Sequence, residues 1–262
     1  MDTPQIMLAD LPTDRRATGR TNPWLVFLLP FVVFMVVGSF EPAAAVAHDQ
    51  SPPEASKTFG LAIPYSAYPL IYTVKIGLTL IAIAAIWPGY RQFAWRVDKL
   101  AIGVGVVGTA VWIGLAMLQR VMVLRFGLEF GLGKRSAFDP LAELSARPAW
   151  AYTFLAIRLA GLAVVAPVIE EFFLRGFLMR FAMAADWWAV PFGAASRTAI
   201  VIGTAVPVLM HPQEALAAAV WFSGITWLML RTRNMWDCVA AHATTNLLLG
   251  VYVIASGNWW LM

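Results

Sequence analysis

Several long apolar stretches, each of roughly 16 to 20 residues with few charged side chains, constrain the fold of this chain more than any other feature. About 20 residues of α-helix cross the hydrocarbon core of a bilayer. Of the 262 residues, 60% are hydrophobic and 13% are charged, and a water-soluble domain of this length could not bury so much apolar surface. The sequence therefore predicts an integral membrane protein.

The predicted fold class is all-α, a polytopic transmembrane helical bundle of about seven to eight spans. Backbone groups in lipid must be hydrogen-bonded within the protein, and the stretches lack the alternation of a barrel strand. Residues 1–22 are expected to form a polar tail and residues 23–262 a single transmembrane domain. The predicted spans lie near residues 24–39, 68–87, 100–118, 149–168, 198–211, 215–230 and 235–254.

Basic residues between the spans predict a cytoplasmic N-terminus, because that orientation places most of them on the cytoplasmic side, as the positive-inside rule requires. The segment 119–149 holds most of the exceptions, and a surface helix of its own is one explanation. Ala45-Val46-Ala47, after the first apolar run, resembles a signal-peptidase site. The length of that run favours an uncleaved anchor over a cleaved signal.

Polar residues that require an explanation are concentrated after residue 150. An ionisable side chain inside a bilayer is costly unless it is paired or hydrated, so each one is a functional candidate. They form three clusters, which are Glu170, Glu171 and Arg175 after an apolar run, His211 at the end of the next run, and His242 with Asn246 in the last span.

Helical spacing predicts different roles for the two adjacent glutamates. Glu171 and Arg175 are four residues apart, so they share a helix face and can form an ion pair. Glu170 is rotated by about 100° from its neighbour, which leaves its carboxylate free for chemistry. Pro167 removes a backbone hydrogen bond just before the pair, and a kink there would widen a cavity. His242 and Asn246 share a face and present an imidazole and a carboxamide to the same space.

These three clusters, in this order and spacing, resemble the motifs of the CAAX-protease and bacteriocin-processing family of intramembrane endopeptidases. The segment Arg233–Tyr252 is most similar to the bacterial subgroup associated with exosortase-type sorting. The resemblance covers about residues 145–255, which would be the peptidase core. It departs from the family pattern at Pro207, where the family usually has phenylalanine four residues before the histidine.

The resemblance implies hydrolysis of a peptide bond in a membrane-anchored or lipidated substrate. Glu170 would be the general base on water, assisted by His211. His242 and Asn246 would bind the oxyanion, and Glu171 with Arg175 would hold the site together. It also implies the inner membrane of a bacterium, with lipids and the substrate as partners and no nucleic acid. Neither the substrate's identity nor the oligomeric state follows from the sequence.

Several alternatives remain at the level of sequence. No cofactor is expected, but a divalent metal held by Glu170, His211 and His242 is possible, since zinc accepts such ligands. The chain lacks the His-Glu-x-x-His helix that would favour it. A transporter with a buried Glu/Arg/His relay and a non-catalytic scaffold or immunity protein are rivals of other classes. Lys75 and Arg158, inside spans, are expected to pair or to snorkel rather than to catalyse.

The predicted spans carry one conflict with this hypothesis. If the helices simply alternate in direction, Glu170 lies near the inner end of its span and His211 near the outer end of the next. A shared site then requires that the helix with Glu170 continues through Pro167, that a neighbouring segment is re-entrant, or that the predicted boundaries are wrong.

Overall fold

The structure, a computed structural model, describes residues 22–42, 56–58, 61–127 and 137–262. In these ranges the chain is almost entirely helical, and each predicted span corresponds to an apolar helix. A short α4 (Pro140–Glu143) lies in the segment where a surface helix was expected. The apolar helices are α1 (Pro23–Gly38), α2 (Tyr68–Tyr90), α3 (Lys99–Phe126), α5 (Pro148–Phe181), α6 (Arg197–Met210), α7 (Ala215–Thr232) and α8 (Met235–Ser256).

Five helical stretches among the described residues are long and apolar enough to cross a membrane, and the prediction of a polytopic helical bundle is confirmed. The helices α1 and α6, with 16 and 14 residues, are apolar but shorter. Strands β1 (Ser56–Thr58) and β2 (Leu61–Ile63) form a small antiparallel hairpin between α1 and α2. Most of the predicted polar tail and the Ala45-Val46-Ala47 site lie outside the described residues.

Local sequence signals explain where several helices begin and end. Asp98, Ser196 and Asn234 each accept a hydrogen bond from the backbone of the first turn of α3, α6 and α8. Gly127 and Gly257 end α3 and α8 with φ of 63° and 70°, a left-handed conformation that glycine adopts without steric cost.

Helix α5 corrects a predicted boundary. Its span was expected to end near residue 168, but the helix continues to Phe181 and has 34 residues. Glu170 therefore lies in the interior of the helix rather than near its end. The apolar stretch that sequence reading detects stops at the first charged residues, although these are buried and the helix does not stop with them.

Two π-helical segments of α5, Gly161–Val165 and Phe172–Leu178, flank the α-helical stretch Ala166–Glu171. That stretch carries Pro167, whose ring crowds the carbonyl of the preceding turn and which has no N–H to donate. A π turn is one of the local adjustments by which membrane helices accommodate proline. The helix thus continues through Pro167, which is one of the three explanations that would allow a shared site.

Close approach of α3 and α8 forms the centre of one half of the bundle. Gly105 permits it, because a Cβ atom there would lie 2.6 Å from the Cβ of Thr244 and 2.7 Å from the carbonyl oxygen of Ala241. The other half is an aromatic core in which α1 and α2 pack on α5, with Phe172 and Trp187 fully buried. Small residues between helices are the usual means of tight packing in membranes.

The two ends of the bundle differ in character. At one end, Arg96, Arg231, Asn234 and Asp237 line a surface cavity of about 450 Å³, and Asn234 donates to the carbonyl of Arg96 at 2.8 Å. The other end carries the start of α2 and the last residues of the chain. Because α2 has 23 residues and a length of about 35 Å, these ends lie on opposite sides of the bundle.

Candidate active site

The carboxylate of Glu171 is held in a buried polar network. Arg175 Nη1 lies 3.3 Å from Glu171 Oε1 and 3.2 Å from Oε2, and both side chains are fully buried. Arg175 Nη2 donates to the carbonyl of Phe222 in α7 at 3.1 Å. His242 Nδ1 lies 2.8 Å from Glu171 Oε1. The predicted contact between Glu171 and Arg175 is thus present. The bonds to Phe222 and His242 connect this pair in α5 with α7 and α8.

The carboxylate of Glu170 has a different environment. Its Oε2 atom is buried and accepts no hydrogen bond from the described residues. The nearest basic atom among the ion pairs of these residues is His242 Nε2, at 3.9 Å. Oε2 of Glu171 also accepts no hydrogen bond, but it lies 3.2 Å from Arg175 Nη1, whereas Glu170 forms no ion pair with an arginine or lysine among the described residues. A buried carboxylate oxygen without a hydrogen bond or a cationic partner is costly and requires an explanation.

Glu170 and His211 line the same cavity, of about 440 Å³. This cavity also includes Glu41, three residues after the end of α1, and Arg158 in the first part of α5. The predicted conflict of topology is therefore resolved, because the long α5 carries Glu170 to the level at which α6 ends with His211.

A hydrogen bond to Pro207 orients the imidazole of His211. Its Nδ1 lies 2.9 Å from the carbonyl oxygen of Pro207, which also accepts the backbone N–H of His211 at 3.0 Å. Since a carbonyl oxygen only accepts, Nδ1 carries the proton and Nε2 of the neutral ring is an acceptor. The departure from the family pattern at Pro207 thus leaves the histidine held by a main-chain group.

His242 lies between the two glutamates, with Nδ1 at Glu171 and Nε2 toward Glu170. The Glu171 carboxylate accepts the Nδ1 proton, so Nε2 carries a proton only when the ring is charged. Asn246, one turn further along α8, donates from Nδ2 to the carbonyl of Leu162 at 2.9 Å. One of its two amide protons remains for another acceptor.

The ring of Phe222 of α7 lies close to both imidazoles. Its ring centroid lies 5.5 Å from that of His211 and 5.7 Å from that of His242, and the residue is 1% exposed. Sequence reading did not find Phe222, because one phenylalanine in an apolar helix carries no signal. It missed Glu41 for the same reason, since an acidic residue after a predicted span is common.

Lys75 and Arg158, the two cations that the sequence analysis placed inside spans, both have partners in the structure. Lys75 in α2 forms an ion pair with Glu41 at 2.6 Å, and the rings of Phe34 and Tyr72 lie 4.2 and 4.4 Å from its Nζ. Arg158 donates to main-chain oxygens and forms no ion pair with a glutamate or aspartate side chain among the described residues. Lys75 thus pairs as predicted, whereas Arg158 does not pair with a carboxylate side chain.

The geometry of the described residues does not support the metal alternative. They contain no group of three His, Cys, Asp or Glu side chains that could hold a metal ion. Glu170, His211 and His242, the ligands that this alternative proposed, are therefore not such a group among the described residues.

Residues 150–248 match the family model described as Rce1-like, type II CAAX prenyl endopeptidase Rce1-like. The match covers less than half of the chain, but it includes every predicted site residue on α5, α6 and α8. It supports a protease of the CAAX type in the membrane. No curated protein and no solved structure matches the chain.

Proposed function

We propose that this chain is an intramembrane endopeptidase in which Glu170 activates water for attack on a peptide bond. One observation carries the proposal. Of two adjacent glutamates in α5, Glu171 pairs with Arg175 and contacts His242, while Glu170 forms no ion pair with an arginine or lysine among the described residues and lines a cavity with His211. Such an arrangement provides a base and an imidazole at one space large enough for a peptide.

The proposed reaction proceeds by general acid–base catalysis. The carboxylate of Glu170 accepts a proton from water, and the hydroxide oxygen forms a bond to the carbonyl carbon of the substrate. Nε2 of His211, an acceptor in the neutral ring, orients that water. Glu170 then donates the proton to the amide nitrogen as the carbon–nitrogen bond breaks.

The charged form of His242 and the remaining amide proton of Asn246 would stabilise the oxyanion. Donors aimed at the developing charge are worth several kcal/mol each in a dry site, typically about 3. His242 donates through Nε2 only as an imidazolium, so its bond to Glu171 is part of this role. Glu171 and Arg175 act through His242 as positioning residues.

We also propose that the N-terminus is cytoplasmic and that the membrane is the inner membrane of a bacterium. The basic residues Arg96 and Arg231 mark one end of the bundle, and the cavity with Glu170 extends to Glu41 and Met262 at the other end. The cavity then opens away from the cytoplasm. The substrate class we favour is a membrane-anchored sorting tail, on the resemblance of Arg233–Tyr252 to exosortase-associated proteins.

The family match favours a protease over the transporter and scaffold alternatives. A scaffold would also have no need of a cavity at an unpartnered buried carboxylate. A metal-dependent protease would differ from the proposed one because a chelator would abolish its peptide cleavage.

The test is cleavage of lipidated and sorting-tail peptides by the purified, detergent-solubilised chain, with and without a chelator. Glu170→Ala and His211→Ala are compared with wild type and with Glu143→Ala, an exposed glutamate of α4. Cleavage that both site variants lose, that Glu143→Ala keeps and that survives chelation supports the proposal. Loss on chelation supports a metal. Equal cleavage by wild type and Glu170→Ala contradicts the proposed role.

A further inference from the structure

A groove on the outer surface of the bundle, between α3 and α7, has no part in the proposed reaction. It has a volume of about 430 Å³, and its almost entirely apolar lining includes Leu100, Val107 and Val111 of α3 and Val220, Trp221 and Gly224 of α7. Gly108 allows the ring of Trp221 to lie against the main chain of α3, because a Cβ atom there would overlap that ring. The side chains of Val107 and Val220 are exposed, so the groove is open to the lipid of a membrane.

The groove leads into a polar cavity at one end of the bundle. Leu100 lines both spaces, and the second space is the cavity of about 450 Å³ that Arg96 and Arg231 line. The two arginines lie at the ends of the helices that form the groove, since Arg96 precedes α3 and Arg231 belongs to the last turn of α7. One surface therefore carries cationic groups at one end and apolar groups along the rest.

The guanidinium groups of these two arginines are available to a ligand. Neither donates a hydrogen bond to the described residues or pairs with an acidic side chain among them. The two aspartates of the cavity bind main-chain groups instead, because Asp98 Oδ1 accepts the N–H of Leu100 at 2.7 Å and Asp237 Oδ1 accepts the N–H of Asp98 at 2.8 Å. A guanidinium has five N–H donors and binds phosphate through two of them at once.

The length of the groove matches one leaflet of a bilayer. Leu100 and Val111 are eleven residues apart on α3, which corresponds to roughly 16 Å along the helix axis. The hydrocarbon core is about 30 Å thick, so one leaflet contributes about 15 Å. A transmembrane helix of a partner would continue through both leaflets, whereas an acyl chain ends at the midplane. Length and charge together favour a lipid over a helix.

We propose that this surface binds one phospholipid with an anionic head group, from the leaflet on the side of Arg96 and Arg231. The phosphate binds the two guanidinium groups, and one acyl chain lies in the groove against Trp221. The site shares no lining residue with the cavity of Glu170. The proposal therefore goes beyond the proposed reaction and does not depend on it.

The test is native mass spectrometry of the full chain in detergent, titrated with three probes. Phosphatidylglycerol carries a phosphate and two acyl chains, diacylglycerol with the same chains lacks the phosphate, and glycerol phosphate lacks the chains. We expect phosphatidylglycerol to bind at least about tenfold more tightly than diacylglycerol, as hydrogen bonds between charged groups imply. Glycerol phosphate should give no adduct over the same range. Equal binding of phosphatidylglycerol and diacylglycerol would overturn the proposal.

Arg96→Gln combined with Arg231→Gln tests the part of the site that binds the head group. Both side chains are exposed, so the fold should be kept, and the dissociation constant for phosphatidylglycerol should rise at least about tenfold. Lysine at both positions should retain part of the preference, since the charge remains while the planar fork is lost. The matched control is Arg91→Gln, which removes an exposed arginine at the same end of the bundle that does not line the cavity. Unchanged binding in the double glutamine variant contradicts the proposal.

Gly224→Leu tests the part of the site that binds the acyl chain. Nothing lies within 4 Å of a Cβ atom at Gly224, so the leucine fills the groove without a clash. The dissociation constant for phosphatidylglycerol should rise at least about threefold, because the chain loses its packing contacts. Gly77→Leu, at an equally open position of α2 outside the groove, should have no effect.

Two results with Gly224→Leu would overturn the proposal. The first is unchanged binding of phosphatidylglycerol, which would show that the acyl chain does not occupy the groove. The second is a dimer in the spectrum of the wild type that Gly224→Leu abolishes while the lipid adduct persists. That result would assign the groove to a second copy of this chain.

Discussion

Glu170 and Glu171 are neighbours in one helix, yet they have opposite surroundings. Glu171 is fully buried and receives Arg175 and His242. Glu170 lines a cavity, and its carboxylate forms no ion pair with an arginine or lysine among the described residues. The comparison teaches that one residue of helical rotation is enough to separate a carboxylate paired with an arginine from one that borders a cavity.

The largest effect should follow from Glu170→Gln, which keeps the shape of the side chain and removes the base. We expect kcat to fall by about 10²–10⁴, the usual contribution of general acid–base catalysis. The thermal unfolding temperature should stay the same or rise, because an unpartnered buried carboxylate is removed. The measurements are peptide cleavage and thermal unfolding in detergent.

Exposed Glu143→Gln is the matched control for that loss and should change neither quantity. A Glu170→Gln variant that unfolds at a much lower temperature would show that Glu170 has the structural role assigned here to Glu171.

Removal of Arg175 should destabilise the bundle most. Arg175→Met leaves Glu171 buried without its arginine, and loss of one partner of a buried pair typically costs about 3–5 kcal/mol. The double variant Glu171→Gln with Arg175→Met should recover part of the loss, because no carboxylate is then left unpaired. Unfolding in denaturant measures both. If the double variant is as unstable as the sum of the single variants, the two side chains do not act as a pair.

An intermediate effect is expected at His211. The change His211→Gln should lower kcat by about 10² with a small change in KM, because Nε2 orients water rather than the peptide. Its unfolding temperature should remain close to that of the wild type, since the ring is only half-buried. A rise in KM at constant kcat would assign His211 to substrate binding instead.

The smallest effect should come from Pro207→Ala. The group that holds His211 is the main-chain carbonyl of residue 207, and alanine retains it. We expect kcat to change by less than about threefold, well below the effect of His211→Gln. A loss as large as that of His211→Gln would show that the proline ring itself, rather than the carbonyl, places the imidazole.

The parts of the site that the sequence predicted are those set by local geometry. The contact between Glu171 and Arg175 follows from a spacing of four residues, and the apolar helices follow from runs of hydrophobic residues. The roles of Glu170, His211, His242 and Asn246 stay predictions, because geometry alone does not test a reaction.

The parts that the sequence could not predict depend on contacts between distant residues. The bond from His242 to Glu171 joins residues 71 positions apart, and that from Asn246 to Leu162 joins residues 84 apart. No local pattern specifies such pairs. The predicted end of α5 was wrong for a related reason. Glu171 and Arg175 follow the apolar run but bond to groups on other helices, so the helix does not end at them.

The π-helical segment Gly161–Val165 has a consequence for how this site tolerates changes in chain length. Each residue added to or removed from an α-helix turns everything beyond it by about 100°. A wide turn accommodates one additional residue without that rotation. Deletion of a single residue there would restore a regular α-helix and leave Arg158 and Glu170 on the same helix faces as before. A deletion between Ala166 and Glu170 would instead rotate the Glu170 carboxylate away from the cavity.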